Sequence, residues 1–160
     1  AANDISLAEV LRYVQDLALS MERSVVKADG AVLLGQDDLF TVAGGPVLVT
    51  SFVGLVTTVI GGAATCHIDH TSTVPGGDVA LSTAVAIDND AAGTSYTFTA
   101  ASPGVLTPTT AGTLDQFPEN NWLLPIGTLK ADCSAAQDGV IAWYMTYKPL
   151  SPDSVVTAAA

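Results

Sequence analysis

Positive charge is scarce in this chain: Lys and Arg together number 5 against 16 Asp and Glu, a formal net charge of -11. Such a balance repels phosphate backbones and anionic membrane surfaces. The basic residues Arg12, Arg23, Lys27, Lys130 and Lys148 are scattered and form no stripe interleaved with aromatics, so nucleic acid is not an expected partner. Aromatic residues are also few, at 6%, which argues against a broad platform for sugar rings. There are only 2 cysteines, Cys66 and Cys133. They lie too far apart for a thiol-exchange motif and are too few for a disulfide framework, so two buried free thiols are expected. The opening Ala1-Ala2-Asn3-Asp4 shows no basic region followed by an apolar run, and no secretory signal is expected from it.

What the chain does contain is small and branched apolar mass. Hydrophobic residues make up 49%, mostly Ala, Val, Leu and Ile alternating with Thr, Ser and Gly, and charged residues only 13%. That composition favours strands. At 160 residues the chain suits one unit with a real core. From Leu39 to Cys66 there is no charge, a length compatible with a membrane span. Gly44-Gly45-Pro46, Gly54 and Gly61-Gly62 interrupt it, Val and Thr dominate it, and no Lys or Arg flanks it. Buried strands broken by turns are the better reading, and no membrane partner is expected.

One helix is expected, from Ser6 to Val26. Leu7, Val10, Leu11, Val14, Leu17, Ala18 and Met21 recur at three- and four-residue spacing. Ser6 and Glu9 have capping-box spacing, and Ile5 and Val10 occupy hydrophobic-staple positions. The apolar stripe can dock on the chain's own body or meet the same stripe on other copies, and the sequence does not choose.

Beyond Gly35 the period changes to short apolar and Thr-rich runs. Strands are expected near 38–42, 47–60, 64–71, 79–87, 95–100, 128–134 and 140–147, with a long ordered loop from Thr107 to Ile126 carrying Phe117, Trp122 and Leu123. In the 79–87 run Val79, Leu81, Val85 and Ile87 share one parity and Ala80, Ser82, Ala84 and Ala86 the other, giving a bulky and a small face. The predicted fold is mainly β, an antiparallel, jelly-roll-like β-sandwich with one N-terminal amphipathic α-helix. Its parts are a helical arm over 1–34, a sandwich over 35–148, and an extended tail over 149–160 that frays unless held.

Chemistry is sparse. Cys66-His67-Ile68-Asp69-His70 gathers three ligand types, but strand alternation sends His67 and Asp69 to one face and Cys66 and His70 to the other, so at most two converge locally. A zinc site takes three or four ligands, so none is assigned here. Asp88-Asn89-Asp90-Ala91-Ala92-Gly93 resembles the start of a calcium loop, yet Thr99 stands where the bidentate Glu belongs, and a turn capped by Asx side chains is expected. Asp37-Asp38, and Asp115 with Glu119, read as solvated carboxylates. No nucleophile elbow or phosphate-cradling glycine loop occurs. No catalytic, cofactor-binding or metal-ligating residues are assigned, no cofactor is expected, and the chain is not expected to be an enzyme.

The stretch from Asp38 to Ile60, with Asp90-Ala91-Ala92-Gly93-Thr94-Ser95-Tyr96, Leu124-Pro125-Ile126-Gly127-Thr128-Leu129 and Trp143-Tyr144-Met145-Thr146-Tyr147-Lys148-Pro149-Leu150, resembles a family of small structural proteins of tailed phages and prophages. The resemblance covers most of the chain beyond the helix. It implies a virion protein made in the host bacterial cytoplasm and placed on the capsid exterior. As a decoration or cement protein it would bind the major capsid protein over capsomer junctions as a homo-oligomer, a trimer or dimer. The Cys66–His70 cluster is not part of the shared pattern. A tail, baseplate or fibre-associated module, with Trp122, Tyr144 and Tyr147 as candidate sugar-stacking residues, is the alternative.

Overall fold

A computed structural model describes residues 6–74, 76–98, 104–109 and 121–160, with 104–109 described in backbone alone. One helix, α1 (Leu7–Ser20), precedes the strands β1 (Arg23–Ala31), β2 (Gly35–Ala43), β3 (Val47–Thr58), β4 (Thr65–Ser72), β5 (Gly77–Ala80), β6 (Ser82–Thr83) and β7 (Val85–Ala86). They are followed by β8 (Ser95–Phe98), β9 (Gly104–Thr109), β10 (Trp122–Leu124), β11 (Gly127–Cys133), β12 (Val140–Pro149) and β13 (Val155–Ala158).

The strands form two sheets packed face to face. One is ordered β1-β12-β3-β8-β9-β6 with β10 beside β3, and the other β13-β2-β11-β4-β5 with β7 beside β4. The ladders β1–β12, β2–β11, β3–β8 and β4–β5 are nested antiparallel couples. Such nesting is that of one long two-stranded ribbon wound around a core, the jelly-roll arrangement. The expected antiparallel, jelly-roll-like sandwich is therefore what forms. Among the described strands a short parallel pair, β6 with β9, is the exception to the antiparallel rule.

Alternation drives the packing. Along β11 the pattern is strictly period two, with Gly127, Leu129, Ala131 and Cys133 buried between half-buried Thr128, Lys130 and Asp132. Phe52 is the hub of the core aromatics: its ring stacks on Trp143 at 5.2 Å and meets Phe98, Trp122 and Phe40 at 5.6, 6.0 and 6.2 Å. Glycines on both neighbouring strands make room for Trp143. A Cβ at Gly54 would lie 2.6 Å from Cζ3 of that ring, and one at Gly30 would lie 3.1 Å from Cδ1. Gly54 thus interrupts a Val-rich strand to seat an indole.

Several expectations are corrected. The helix ends at Ser20, short of Val26. Met21 turns to extended backbone (φ -78°, ψ 130°), and Arg23 to Ala31 pair with β12 instead. The β-branched pair Val25-Val26 gains a full ladder there, which outweighs a continued exposed helix turn. The 79–87 run is broken: Ser82–Thr83 leaves for the other sheet and Val85–Ala86 returns, so Val79 is exposed and Ile87 buried despite their shared parity. The expected loop over 107–126 contains β10, and β9 extends into it. The C-terminal segment does not hang free, because Val155 to Ala158 add a strand to β2 and Val156 is buried.

Candidate functional site

The capping box forms as the spacing dictates. Ser6 Oγ accepts from the Glu9 N–H at 3.2 Å, while the Glu9 carboxylate accepts from the Ser6 N–H at 2.9 Å. The helix it starts buries none of its residues. Leu7 is 74% exposed, Leu11 55%, Val14 53%, Leu17 51% and Met21 59%, so the apolar stripe, apart from Ala18, faces outward. Only its last turn touches the sandwich: Ala18 and Leu19 are half-buried, and α1 lies beside β12. A contiguous uncovered apolar stripe on an otherwise polar helix marks an interaction surface.

The cysteines do not remain free. Cys66 and Cys133 are register partners on β4 and β11 and form a disulfide across 67 positions. Their distance in sequence gave no sign of this, because the ribbon winding brings the two strands together. Beside that rung, on the outward face, Asp132 stands opposite His67 and Lys130 opposite Asp69. His67 and Asp69 share a face, as alternation requires, with His67 Nε2 3.3 Å from Asp69 Oδ2. Asp132 joins them from the neighbouring strand, and one ligand atom from each of the three lies within 4.8 Å of the others. Sequence reasoning considered ligands along one strand only. Asp132, a cross-strand member, left no local signal.

His70 points the other way, into the protein. It is 3% exposed, and its Nε2 has no hydrogen-bond partner among the described residues. Burial pushes its pKa below the usual imidazole value, partly opposed by its hydrogen bond to the Pro125 backbone.

The 88–93 segment is the expected turn capped by Asx side chains, and the N–H groups they cap belong to the 62–64 segment. Asp88 Oδ1 accepts from the Ala64 N–H at 2.7 Å and Asn89 Oδ1 from the Gly62 N–H at 3.3 Å, with Asn89 at φ 56°. Asp90 accepts a hydrogen bond from the Tyr96 hydroxyl, whose pKa rises through burial and then through that carboxylate. Asp37 is raised chiefly by burial, with Lys27 pulling it back and Asp38 and Asp29 adding to the rise. Asp115, Phe117 and Glu119 lie outside the described residues. The three aromatics considered for sugar stacking do not share a surface: Trp122 packs on Phe52 and Phe98, Tyr147 is buried with its hydroxyl accepting from the Val156 N–H, and Tyr144 is 41% exposed. No described helix is long and apolar enough to cross a membrane.

Comparisons of the chain with protein-family models, with curated proteins and with solved structures find no match.

Proposed function

We propose that this protein is a non-enzymatic structural component of a tailed-phage virion, a decoration protein that binds the outside of the capsid shell and joins copies of itself through α1. The observation that carries the reading is the uncovered stripe. Leu7, Val10, Val14, Leu17 and Met21 follow a three-four-three-four spacing, the seam of a helical bundle, and are exposed in the single chain. The occupant that best fits such a seam is the same stripe on a second or third copy, with Glu9, Arg12 and Asp16 on the far side of the helix, where they stay in water.

The body supports the same role. Jelly rolls serve as viral capsid domains as well as lectins and other proteins, so the fold is compatible with a shell component without establishing one. The Cys66–Cys133 disulfide suits a protein that works outside a reducing cytosol, as virion surfaces do. A net charge of -11 disfavours the packaged genome as partner and favours a basic or apolar protein surface. The resemblance to small virion proteins supports a virion as the particle.

Electron microscopy of purified particles tests the reading, together with light scattering on the free protein. A dimer or trimer bound over capsomer junctions is expected. A chain found on tails alone overturns the decoration role and supports a tail, baseplate or fibre component.

A further inference from the structure

We propose that His67, Asp69 and Asp132 form a binding site for a divalent transition-metal ion, with Zn²⁺ the ion that suits it best, on the outward face of the sheet containing β4 and β11. The donor set is one imidazole nitrogen and two carboxylate oxygens. Three protein ligands of this kind hold Zn²⁺ and leave a fourth position for water or for a donor on a neighbouring molecule. A dication is neutralised by the two carboxylates, whereas the imidazole selects against Mg²⁺ and Ca²⁺, which prefer oxygen throughout.

The geometry is close to what the ion needs. Two ligand atoms each about 2.0 Å from a tetrahedral ion are roughly 3.3 Å apart, and His67 Nε2 stands 3.3 Å from Asp69 Oδ2. The third ligand atom lies within 4.8 Å of both, so a modest side-chain rotation of Asp132 closes the set. The strands that carry the ligands are fixed relative to one another, because the adjacent rung is the Cys66–Cys133 bridge. Coordination therefore requires little ordering of the backbone.

A second observation points to a cation. The Asp69 side chain is only 8% exposed, and its one partner among the described residues is His67. A carboxylate so far out of water ordinarily has several donors or a metal. The nearest candidate cation does not serve it: Lys130 is the register partner of Asp69, but its ammonium donates to Gln36 Oε1 at 3.1 Å. Asp132 adds another negative charge to the same spot. A single imidazole facing two carboxylates leaves room for a positive ion to complete the group.

The test uses the full chain, stripped with a chelator and titrated with ZnCl2 by calorimetry, with thermal melting run in parallel. One Zn²⁺ per chain and a raised melting temperature are expected. Loss of a ligand in His67→Gln or Asp132→Asn should weaken binding by roughly tenfold or more, while Asp153→Asn, an exposed carboxylate elsewhere, should leave it unchanged. Cobalt substitution of the unaltered protein gives a reading that does not depend on the variants folding, since tetrahedral N/O ligation produces strong visible bands. Absence of saturable binding at millimolar Zn²⁺ overturns the proposal and leaves the trio as a hydrogen-bonded surface group. Binding that persists undiminished in both variants, or octahedral cobalt bands, overturns it equally.

Discussion

Lys27 Nζ donates a hydrogen bond at 3.0 Å to the carbonyl oxygen of Ala159, 132 positions later, and so ties the first strand of the sandwich to the last residues of the chain. The lysine is 6% exposed and has Asp29 at 3.4 Å as its counter-charge. Arg23 adds a second tie to the Ser154 carbonyl at 3.3 Å. Deleting Val155 to Ala160 strips Val156 from the core, opens the edge of β2 and leaves the Lys27 ammonium one acceptor short. A loss of roughly 3 kcal/mol or more is expected from these terms. Urea titration of the truncated chain measures it, and an unchanged midpoint would show that the C-terminal strand is dispensable to the fold.

Trp143 depends on the missing side chain at Gly54. Gly54→Val places two methyl groups against the indole, and overpacking of this kind costs about 1–3 kcal/mol, with Gly54→Ala intermediate. Denaturant melts followed by tryptophan emission should show a lowered midpoint and a red-shifted native spectrum in the valine variant.

Reduction of the Cys66–Cys133 bond frees a closed loop of 67 positions. Chain-entropy reasoning puts the loss at about 4 kcal/mol for a loop of that size. Melting with and without a thiol reductant checks it. The Cys66→Ser, Cys133→Ser double variant should melt with the reduced protein and be insensitive to the reductant.

His70 makes stability fall in mild acid. Its pKa is lowered in the folded state from an ordinary value of 6.5, so below that pH the unfolded chain binds a proton that the folded chain resists. Stability contributed by the neutral ring is full above about 6.5 and declines as pH falls toward the depressed folded value. Melting temperatures between pH 7.5 and pH 5 should drop for the natural chain and drop less for His70→Asn. Equal slopes for the two proteins would assign the acid sensitivity elsewhere.

Val14→Asp separates assembly from folding. Val14, a seam position, is 53% exposed in the single chain, so the substitution should leave the melting of isolated monomer within about 0.5 kcal/mol of the parent. In a bundle the same carboxylate is buried without a partner, at a cost of several kcal/mol. Light scattering should therefore show monomer where the parent is a dimer or trimer. A variant that still assembles removes the stripe from the interface.

Local patterns were legible in the sequence and long-range neighbours were not. The Ser6–Glu9 box and the alternation of 127–133 each arise from residues a few positions apart, and each forms as read, whereas the Asx side chains of the 88–93 turn cap N–H groups more than twenty positions away. The helix end is not marked in the sequence, because Met21 and Val25 prolong the four-residue spacing, and only pairing with Tyr144 to Tyr147 makes that stretch a strand. The Cys66–Cys133 bond and the approach of Asp132 to His67 are set by the wrapping of the ribbon. A single strand carries no mark of which strand lies beside it.

The nested ribbon also fixes when the protein can be made. β1 has β12 as its ladder partner, and β2 lies between β11 and β13, so both sheets wait for residues near the end of the chain. On a ribosome the Val-rich β3 emerges long before β12, its neighbour for most of its length. Pairings this distant in sequence are slow to close. Through that interval β4–β5 and β3–β8 can already pair, but β1 and β2 lack their ladder partners and β3 keeps one open edge, and such edges are where copies join by the wrong strands.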